Sequence, residues 1–166
     1  MIVIITGLPG SGKTYFAGRI AQMLSAAYIN SDKVRRELLV LPTYSCEEKI
    51  LVYDEMLKRA IQASEHGKEV VIDATFCTNA LRKKFTNELQ KISGVFFIEM
   101  VADEDVIKER LMQRSNDSDA DFNVYKSVKK LWEPVSGSHL VLKSTNDNIN
   151  DLLEETADYL FIEMTK

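Results

Sequence analysis

Short apolar runs alternate with longer stretches of mixed character along this chain. Runs that are apolar at successive positions are typical of strands buried on both faces. Five such runs occur, at Ile2–Thr6, Ala27–Asn30, Glu69–Ala74, Val95–Val101 and His139–Lys143. The last three closely follow Gly67, Gly94 and Gly137, and a glycine just past a helix ends it through a left-handed turn. The pattern predicts a parallel sheet covered by helices on both faces, in a single α/β domain over residues 1–166.

Between these runs, apolar residues recur three or four positions apart, as on one face of a helix. Helices are predicted from Tyr15 to Ser25, from about Glu47 to Glu65, around Leu81 to Ile92 and from Ile149 onward. We interpret their apolar stripes as surfaces that pack on the sheet rather than as contacts to a cofactor.

A glycine-rich segment follows the first apolar run directly. It consists of Gly7, Leu8, Pro9, Gly10, Ser11, Gly12, Lys13 and Thr14. A strand, a glycine-rich turn and a helix in this order form a cradle of backbone N–H groups for phosphate. Lys13 can reach the β- and γ-phosphate oxygens, and the Thr14 hydroxyl can bind Mg²⁺. The segment therefore predicts a nucleoside triphosphate site, since an incidental glycine-rich turn would not need this complete spacing.

A carboxylate, Asp73, stands at the end of the third apolar run, Val70 to Ile72. Ligands of doubly wound sheets lie beyond the carboxyl ends of the strands, so Asp73 is expected beside the triphosphate. There it would hold Mg²⁺ through a bound water. The alternative is that Asp73 caps the next helix. Beside a phosphate loop we favour the metal role.

A second charged group, Asp32 with Arg35, directly follows the second apolar run. A carboxylate at this strand end can accept a proton from an attacking hydroxyl. Arg35 lies one helical turn later on the same side, where it can hold an anionic group of the acceptor. The alternative is that Ser31 or Asp32 caps a helix with a solvated charged face. That face would carry Lys33, Arg35, Arg36 and Glu37. The spacing alone does not decide between the two.

Two arginines, Arg110 and Arg114, end a predicted helix and lead into a polar turn. Two helices joined by such a turn can form a lid, here over about residues 110–122. An arginine delivered to a transferring phosphoryl group accelerates transfer by roughly 10³–10⁵. Arg114 is the stronger lid candidate because it borders the turn. The alternative is an ordinary charged helix whose arginines pair with Glu109 or nearby acids.

Composition limits the remaining possibilities. The net charge of −4 and the pI of about 5.3 exclude a broadly basic surface of the kind that binds nucleic acid, although a local basic groove stays possible. Two separated cysteines, Cys46 and Cys77, favour free thiols in a reducing cytosol, and two histidines make a zinc site improbable. No apolar stretch has membrane-spanning length. We therefore expect a cytoplasmic protein that contacts no membrane.

Taken together, several stretches resemble one family of small P-loop kinases, which includes the 5′-kinase domain of phage polynucleotide kinase. The resembling stretches are Gly7–Thr14, Ser31 to Arg35, Val71 to Thr75 with Arg82, Arg110 to Ala120, Trp132 to Pro134 and Leu140 to Leu142. They are spread over nearly the whole chain. The combined pattern is much more specific than the phosphate loop alone.

The resemblance implies a three-layer P-loop NTPase fold with a five-stranded parallel sheet in the order 2-3-1-4-5 and a helical lid. It implies that Asp32 is the general base toward the acceptor hydroxyl and that Arg35 contacts the acceptor's phosphate. A lid arginine, best matched by Arg114, would bind the donor phosphates, with Arg110 as the other candidate. The chain departs from the family pattern at Phe76 and Cys77, and at Ser144-Thr145, where relatives often carry an Asp-Thr pair. These departures bear on acceptor choice and on adenine contacts.

The leading hypothesis is an ATP- and Mg²⁺-dependent kinase acting on a hydroxyl. The acceptor would be a polynucleotide or nucleotide 5′-hydroxyl or a small-molecule alcohol, and no obligate protein partner is evident. The rival is a regulatory NTPase or switch without an acceptor. The chain lacks the N-K-x-D motif of guanine recognition, and no D-x-x-G follows the third apolar run. A third possibility is an ATP-binding protein without catalytic activity.

Overall fold

The computed structural model describes residues 1–113 and 122–164, and it describes side chains as far as residue 161. Its strands are β1 (Ile2–Thr6), β2 (Ala27–Asn30), β3 (Val70–Asp73), β4 (Val95–Val101) and β5 (Leu140–Lys143). Its helices are α1 (Lys13–Met23), α2 (Ser31–Leu38), α3 (Cys46–Glu65), α4 (Asn79–Leu89), α5 (Glu104–Gln113), α6 (Phe122–Leu131) and α7 (Ile149–Met164).

The five strands form one parallel sheet in the order β2-β3-β1-β4-β5, which confirms the predicted fold and strand order. Three strands have the predicted bounds, whereas β3 and β5 are slightly shorter. In the register of the sheet, Asp73 lies beside Ile5 of β1 and beside Asn30 of β2. The carboxyl ends of the central strands therefore bring Asp73 close to the start of the glycine-rich segment.

Two apolar layers cover the sheet, because successive residues of a strand point to opposite faces. In β1, Ile2 and Ile4 face a core formed with α3 and α4, and Val3 and Ile5 face a core formed with α1 and α7. All five residues of β1 are buried. This central strand is consequently a rigid base for the loop that follows it.

The helix starts correct two of the alternatives considered from sequence. Asn30, and neither Ser31 nor Asp32, caps α2, since its side-chain oxygen accepts from the Lys33 N–H at 2.9 Å. Thr78 caps α4 in the same way, so Asp73 is not a helix cap. The solvated face considered as the alternative for α2 holds for Lys33, Arg36 and Glu37, which are exposed, but not for Arg35, which is buried.

Helices α5 and α6 flank residues 114–121. These residues include Arg114 and most of the predicted lid, and they lie outside the described residues. A small apolar cluster of Ile107, Leu111 and Tyr125 joins the two helices and packs against Leu8 of the glycine-rich segment. Within residues 1–113 and 122–164, no helix combines the length and apolarity that crossing a membrane requires.

Candidate active site

The glycine-rich segment takes a conformation that only glycine permits at two of its positions. Gly7 has φ of +152°, and a Cβ atom there would fall on the carbonyl oxygen of Met100 in β4. Gly10 has φ of +83°, and its Cβ would lie 2.8 Å from a methyl group of Ile107. The loop is thus pressed against both β4 and α5 with no room for side chains.

Helix α1 starts at Lys13, two residues earlier than predicted, so Lys13 and Thr14 occupy its first turn. The first N–H groups of a helix have no partner within the helix, and they carry partial positive charge. Its N-cap residue is Gly12, and no side chain among the described residues caps this end of α1. The anion site predicted from the sequence would use these N–H groups together with the loop before them.

One cavity of about 760 Å³ opens beside this helix start. Six of the site residues predicted from sequence line it: Pro9, Lys13, Thr14, Asp32, Arg35 and Asp73. They come from three segments at the carboxyl ends of β1, β2 and β3. The structure therefore brings the phosphate loop, the candidate base and the candidate metal carboxylate to one space.

Asp73 is fully buried, and its two carboxylate oxygens have different surroundings. Oδ2 accepts hydrogen bonds from the Tyr28 hydroxyl at 2.8 Å and from the Asn30 amide at 2.6 Å. Oδ1 is buried without a hydrogen-bond partner among the described residues. A buried carboxylate oxygen left unsatisfied is costly, so this atom fits a role as ligand to Mg²⁺ or to a water bound to it.

Tyr28 is held as a hydrogen-bond donor in this arrangement. Burial raises the pKa of its phenol, and the negative charge of Asp73 raises it further. The hydroxyl consequently keeps its proton well beyond neutral pH and always presents it to Asp73. Sequence analysis did not single out Tyr28, because nothing local in β2 connects it to a residue 45 positions away.

Asn30 serves two elements at once. Its oxygen caps α2, the helix that carries Asp32 and Arg35, while its amide nitrogen binds Asp73. The position of the candidate base is thereby linked to that of the candidate metal ligand. Asparagine is a preferred N-cap residue, so the Asn-Ser-Asp order at the end of β2 contains a signal that could have identified it.

Arg35 is 6% exposed and is enclosed by acidic and aromatic side chains. Its Nε donates to Glu48 at 2.8 Å, and its Nη1 donates to Asp32 at 3.3 Å. The guanidinium carbon lies 4.5 Å from the centroid of the Tyr44 ring. The structure thus joins Arg35 to Asp32, and it adds Glu48, which sequence analysis missed.

Glu48 also binds the backbone N–H groups of Thr43 and Tyr44, at 2.6 and 2.9 Å. Burial would raise the pKa of Glu48, but these bonds and the bond from Arg35 outweigh it and hold the pKa below its ordinary value. Glu48 is therefore a charged anchor that fixes Arg35 to the loop before α3. The Ser45-x-x-Glu48 spacing of a capping box marks this helix start in the sequence.

The departures from the family pattern in the β3–α4 turn have different consequences. Phe76 is fully buried, with its ring 5.3 Å from that of Tyr53 and 4.9 Å from that of Phe85, so it belongs to the core. Cys77, in contrast, lines the cavity.

Arg82 donates to the carbonyl oxygens of Phe76, Glu133 and Pro134, and it thus fixes this turn to the segment after α6.

A second cavity, of about 390 Å³, is lined by Gly12 of the phosphate loop and by Tyr15 and Phe16 of α1. Arg110 lines it and donates from Nη1 to the Ser144 hydroxyl at 2.8 Å and from Nη2 to the Thr145 carbonyl at 2.6 Å. Ser144 in turn donates to the Ser11 carbonyl at 2.8 Å. Ser144, one of the departures from the family pattern, therefore bridges the phosphate loop to α5.

The strand order, the glycine-rich loop at the end of β1 and the helix that follows define a P-loop NTPase fold, of the kind seen in kinases. A family model described as an AAA domain, AAA_33, matches residues 2–134, and the chain belongs to this family of P-loop kinase-like proteins.

The individual proteins of similar sequence match only part of this chain. An uncharacterized protein of Mycobacterium tuberculosis is 30% identical over 87 residues, which are 45% of this chain. The match spans only 18% of the length of that relative.

Similar solved structures cover nearly the whole chain. A sugar kinase from Janibacter has a TM-score of 0.77 at 16% identity, covering 97% of this chain and 94% of its own. The APS kinase of Mycobacterium tuberculosis, in complex with AMPPNP and APS, has a TM-score of 0.70 at 17% identity, covering 96% of each chain. At such identities the likeness establishes the fold.

Proposed function

We propose that this protein transfers the γ-phosphoryl group of ATP to a hydroxyl group of an acceptor molecule. The observation that carries the proposal is the shared cavity, which has Lys13 and Thr14 on one side and Asp32 on another. A pure nucleotide switch has no use for a roomy cavity with a half-exposed carboxylate beside the phosphate loop. The names of the similar structures, a sugar kinase and an APS kinase, support the same reaction class.

In the proposed reaction, the acceptor oxygen attacks the γ-phosphorus and its proton passes to Asp32. A new P–O bond forms to the acceptor, the bond from the γ-phosphorus to the bridging oxygen of the β-phosphate breaks, and ADP leaves. Lys13 and the loop N–H groups stabilise the negative charge on the phosphates. Arg35, bound to Asp32, orients the base and the acceptor. Alignment and charge stabilisation supply most of the acceleration.

Thr14 and Asp73 would hold Mg²⁺, which when bound would neutralise negative charge on the transferring phosphates. The proposal of a Mg²⁺ site rests on the oxygen atoms that these two residues offer as ligands. Thr14 offers a hydroxyl oxygen in the first turn of α1, and Asp73 offers the carboxylate oxygen that no described residue satisfies. Tyr28 and Asn30 fix the other oxygen and thereby orient this ligand.

The second cavity is proposed to take the nucleoside part of ATP. Arg110 and Ser144 line it and are tied to the phosphate loop through Gly10 and Ser11. Its position beside Gly12 continues the path of a triphosphate bound at the start of α1. We propose Arg114 as the arginine that binds the donor phosphates when the lid closes, and Arg110 as the arginine that shapes the nucleoside site.

The free thiols of Cys46 and Cys77 accord with a cytoplasmic location.

The test is to incubate the protein with ATP, Mg²⁺ and a panel of alcohols and to follow ADP and phosphorylated product together. Asp32→Asn should abolish transfer while ATP affinity, measured by calorimetry, stays near normal. Lys13→Ala should weaken ATP binding itself. Asp105→Asn, an exposed aspartate on α5, serves as the matched control. ADP release without any phosphorylated acceptor would contradict the proposal and favour the NTPase switch, and ATP binding without turnover would favour a catalytically silent protein.

A further inference from the structure

We propose that the acceptor is a compact alcohol with an apolar, ring-sized body and at most one negative charge, rather than a polyol or a polynucleotide. This inference rests on the proposed function, because it concerns the part of the 760 Å³ cavity beyond the phosphate loop. Four features of that part support it: its apolar wall, its engaged polar groups, its paired charges and its size.

The wall of the cavity includes apolar side chains that remain exposed to solvent. Ile50 of α3 is 62% exposed, and Val124 and Leu131 of α6 are 40% and 67% exposed. Leu81 of α4 and Val128 of α6 line the same cavity. Single exposed apolar residues are common, but a group of them from two helices around one cavity marks a surface that a ligand covers.

Two polar side chains of this wall already accept hydrogen bonds from the protein backbone. The Tyr53 hydroxyl accepts from the Phe76 N–H at 3.2 Å, and its ring packs against Phe76 and Phe85. The Thr78 hydroxyl accepts from the Leu81 N–H as the cap of α4. A polyol entering this space would give up hydrogen bonds to water that this largely apolar wall replaces only in part, which weakens its binding.

The charges that line the cavity are largely paired. Arg35 shares its guanidinium between Glu48 and Asp32, and Lys84 forms an ion pair with Asp54. Beyond the phosphate loop, Lys49 also lines the cavity. Among the described residues, it is the lining cation there that has no carboxylate partner. One unpaired cation matches one anionic group. A polynucleotide needs several phosphate contacts and hence several available cations.

The volume fits the same class of molecule. Pockets for small ligands measure roughly 300–1,000 Å³ and are lined mainly by apolar side chains with a few polar groups. Part of the 760 Å³ belongs to the phosphate loop and Asp73. The remainder holds one ring-sized body with its hydroxyl directed toward Asp32.

The experiment compares two acceptors that match in charge and differ in polarity. Para-(hydroxymethyl)benzoate and gluconate each carry one carboxylate and a primary alcohol, and an oligothymidylate with a 5′-hydroxyl represents the polynucleotide class. Binding to the protein loaded with AMPPNP and Mg²⁺ is measured by saturation-transfer NMR, and phosphorylation with ATP is measured by ³¹P NMR. We expect the benzoate to bind at least tenfold more tightly than gluconate or the oligonucleotide.

Variants locate the binding on the apolar wall. Ile50→Asn and Leu131→Gln should each weaken benzoate binding about tenfold, the amount expected when one buried aliphatic side chain is lost from a contact. Ile92→Asn is the matched control, because Ile92 is also exposed but does not line the cavity. Both cavity positions are largely exposed, so these substitutions leave the core intact.

Two results overturn the inference. One is gluconate or oligonucleotide binding as tightly as the benzoate, and the other is no binding of the benzoate at all. The inference about the acceptor and the proposed phosphotransfer can also be refuted independently of each other. Benzoate that binds at the wall without any acceptor being phosphorylated would refute phosphotransfer and leave the inference standing, whereas phosphorylation of gluconate alone would refute the inference and support phosphotransfer.

Discussion

The Tyr28 hydroxyl lies 2.8 Å from Oδ2 of Asp73 and donates a hydrogen bond to it from the neighbouring strand. With the Asn30 amide on the same oxygen, this bond leaves Oδ1 as the oxygen that no described residue satisfies. A carboxylate fixed through one oxygen presents the other in a constant direction. Partners of this kind orient metal ligands and tune their affinity.

The first prediction concerns this bond. Tyr28→Phe should raise the Mg²⁺ concentration needed for half-maximal turnover about tenfold, because Asp73 then loses one of its two fixed donors. ATP-dependent thermal stabilisation should show the same shift in Mg²⁺ requirement. Tyr125→Phe is the matched control, since the Tyr125 hydroxyl binds Glu104 and does not line the cavity. An unchanged Mg²⁺ requirement in Tyr28→Phe would show that this bond does not orient the metal ligand.

A second prediction concerns Glu48, which holds Arg35 in place. Glu48→Gln removes the negative charge that Nε of Arg35 contacts, so Arg35 and with it Asp32 lose their fixed orientation. We expect the KM for the acceptor to rise roughly tenfold while ATP affinity remains unchanged. Glu55→Gln on the same helix is the control, because Glu55 binds Arg59 and does not line the cavity. Equal effects of the two variants would refute this role of Glu48.

A third prediction concerns Ser144, which connects Arg110 to the phosphate loop. Ser144→Ala removes one hydrogen bond from Arg110 and one to the Ser11 carbonyl. Because net hydrogen bonds contribute about 1 kcal/mol each, ATP binding measured by calorimetry should weaken about fivefold to thirtyfold. The KM for the acceptor should stay constant. Ser136→Ala, at an exposed serine outside both cavities, should change neither quantity, and a normal ATP affinity in Ser144→Ala would separate this bridge from nucleotide binding.

A fourth prediction concerns alkaline stability. Burial raises the pKa of Tyr53 from 10.0 to about 12, although the Phe76 N–H bond opposes this. Between these values the unfolded chain releases the proton and the folded chain keeps it, so the free energy of unfolding falls as pH rises. The contribution is fully present below pH 10 and decreases by up to about 3 kcal/mol toward pH 12. Urea unfolding of Tyr53→Phe should show a shallower fall than the wild type over this window; parallel curves would contradict the assignment.

The sheet was predictable because its signals are local. Continuous apolar runs identified all five strands, and the glycines before β3, β4 and β5 marked the helix ends. The glycine-rich segment with the helix after it identified the phosphate loop, since the short range of the motif contains all its geometry. The strand order came from the family resemblance, because apolar runs alone do not specify which strands pair.

The roles of Asp73 and Arg35 were indicated but not their partners. Both positions follow from the rule that ligands lie beyond the carboxyl ends of strands. Asp73, however, binds Tyr28 and Asn30, which lie more than forty residues earlier in the chain, and Arg35 binds Glu48 on the next helix. No periodicity connects such residues, so the sequence left open whether Arg35 belongs to a solvated face or is enclosed in the site.

The sequence alone therefore determined the strands, the glycine-rich loop and the residue types of the candidate site, because each depends on neighbours a few positions apart. Only the tertiary structure decided which oxygen of Asp73 is left without a partner and which apolar side chains line the larger cavity. Those properties depend on contacts between elements brought together by the sheet, and on which groups remain unsatisfied or exposed after the chain has packed.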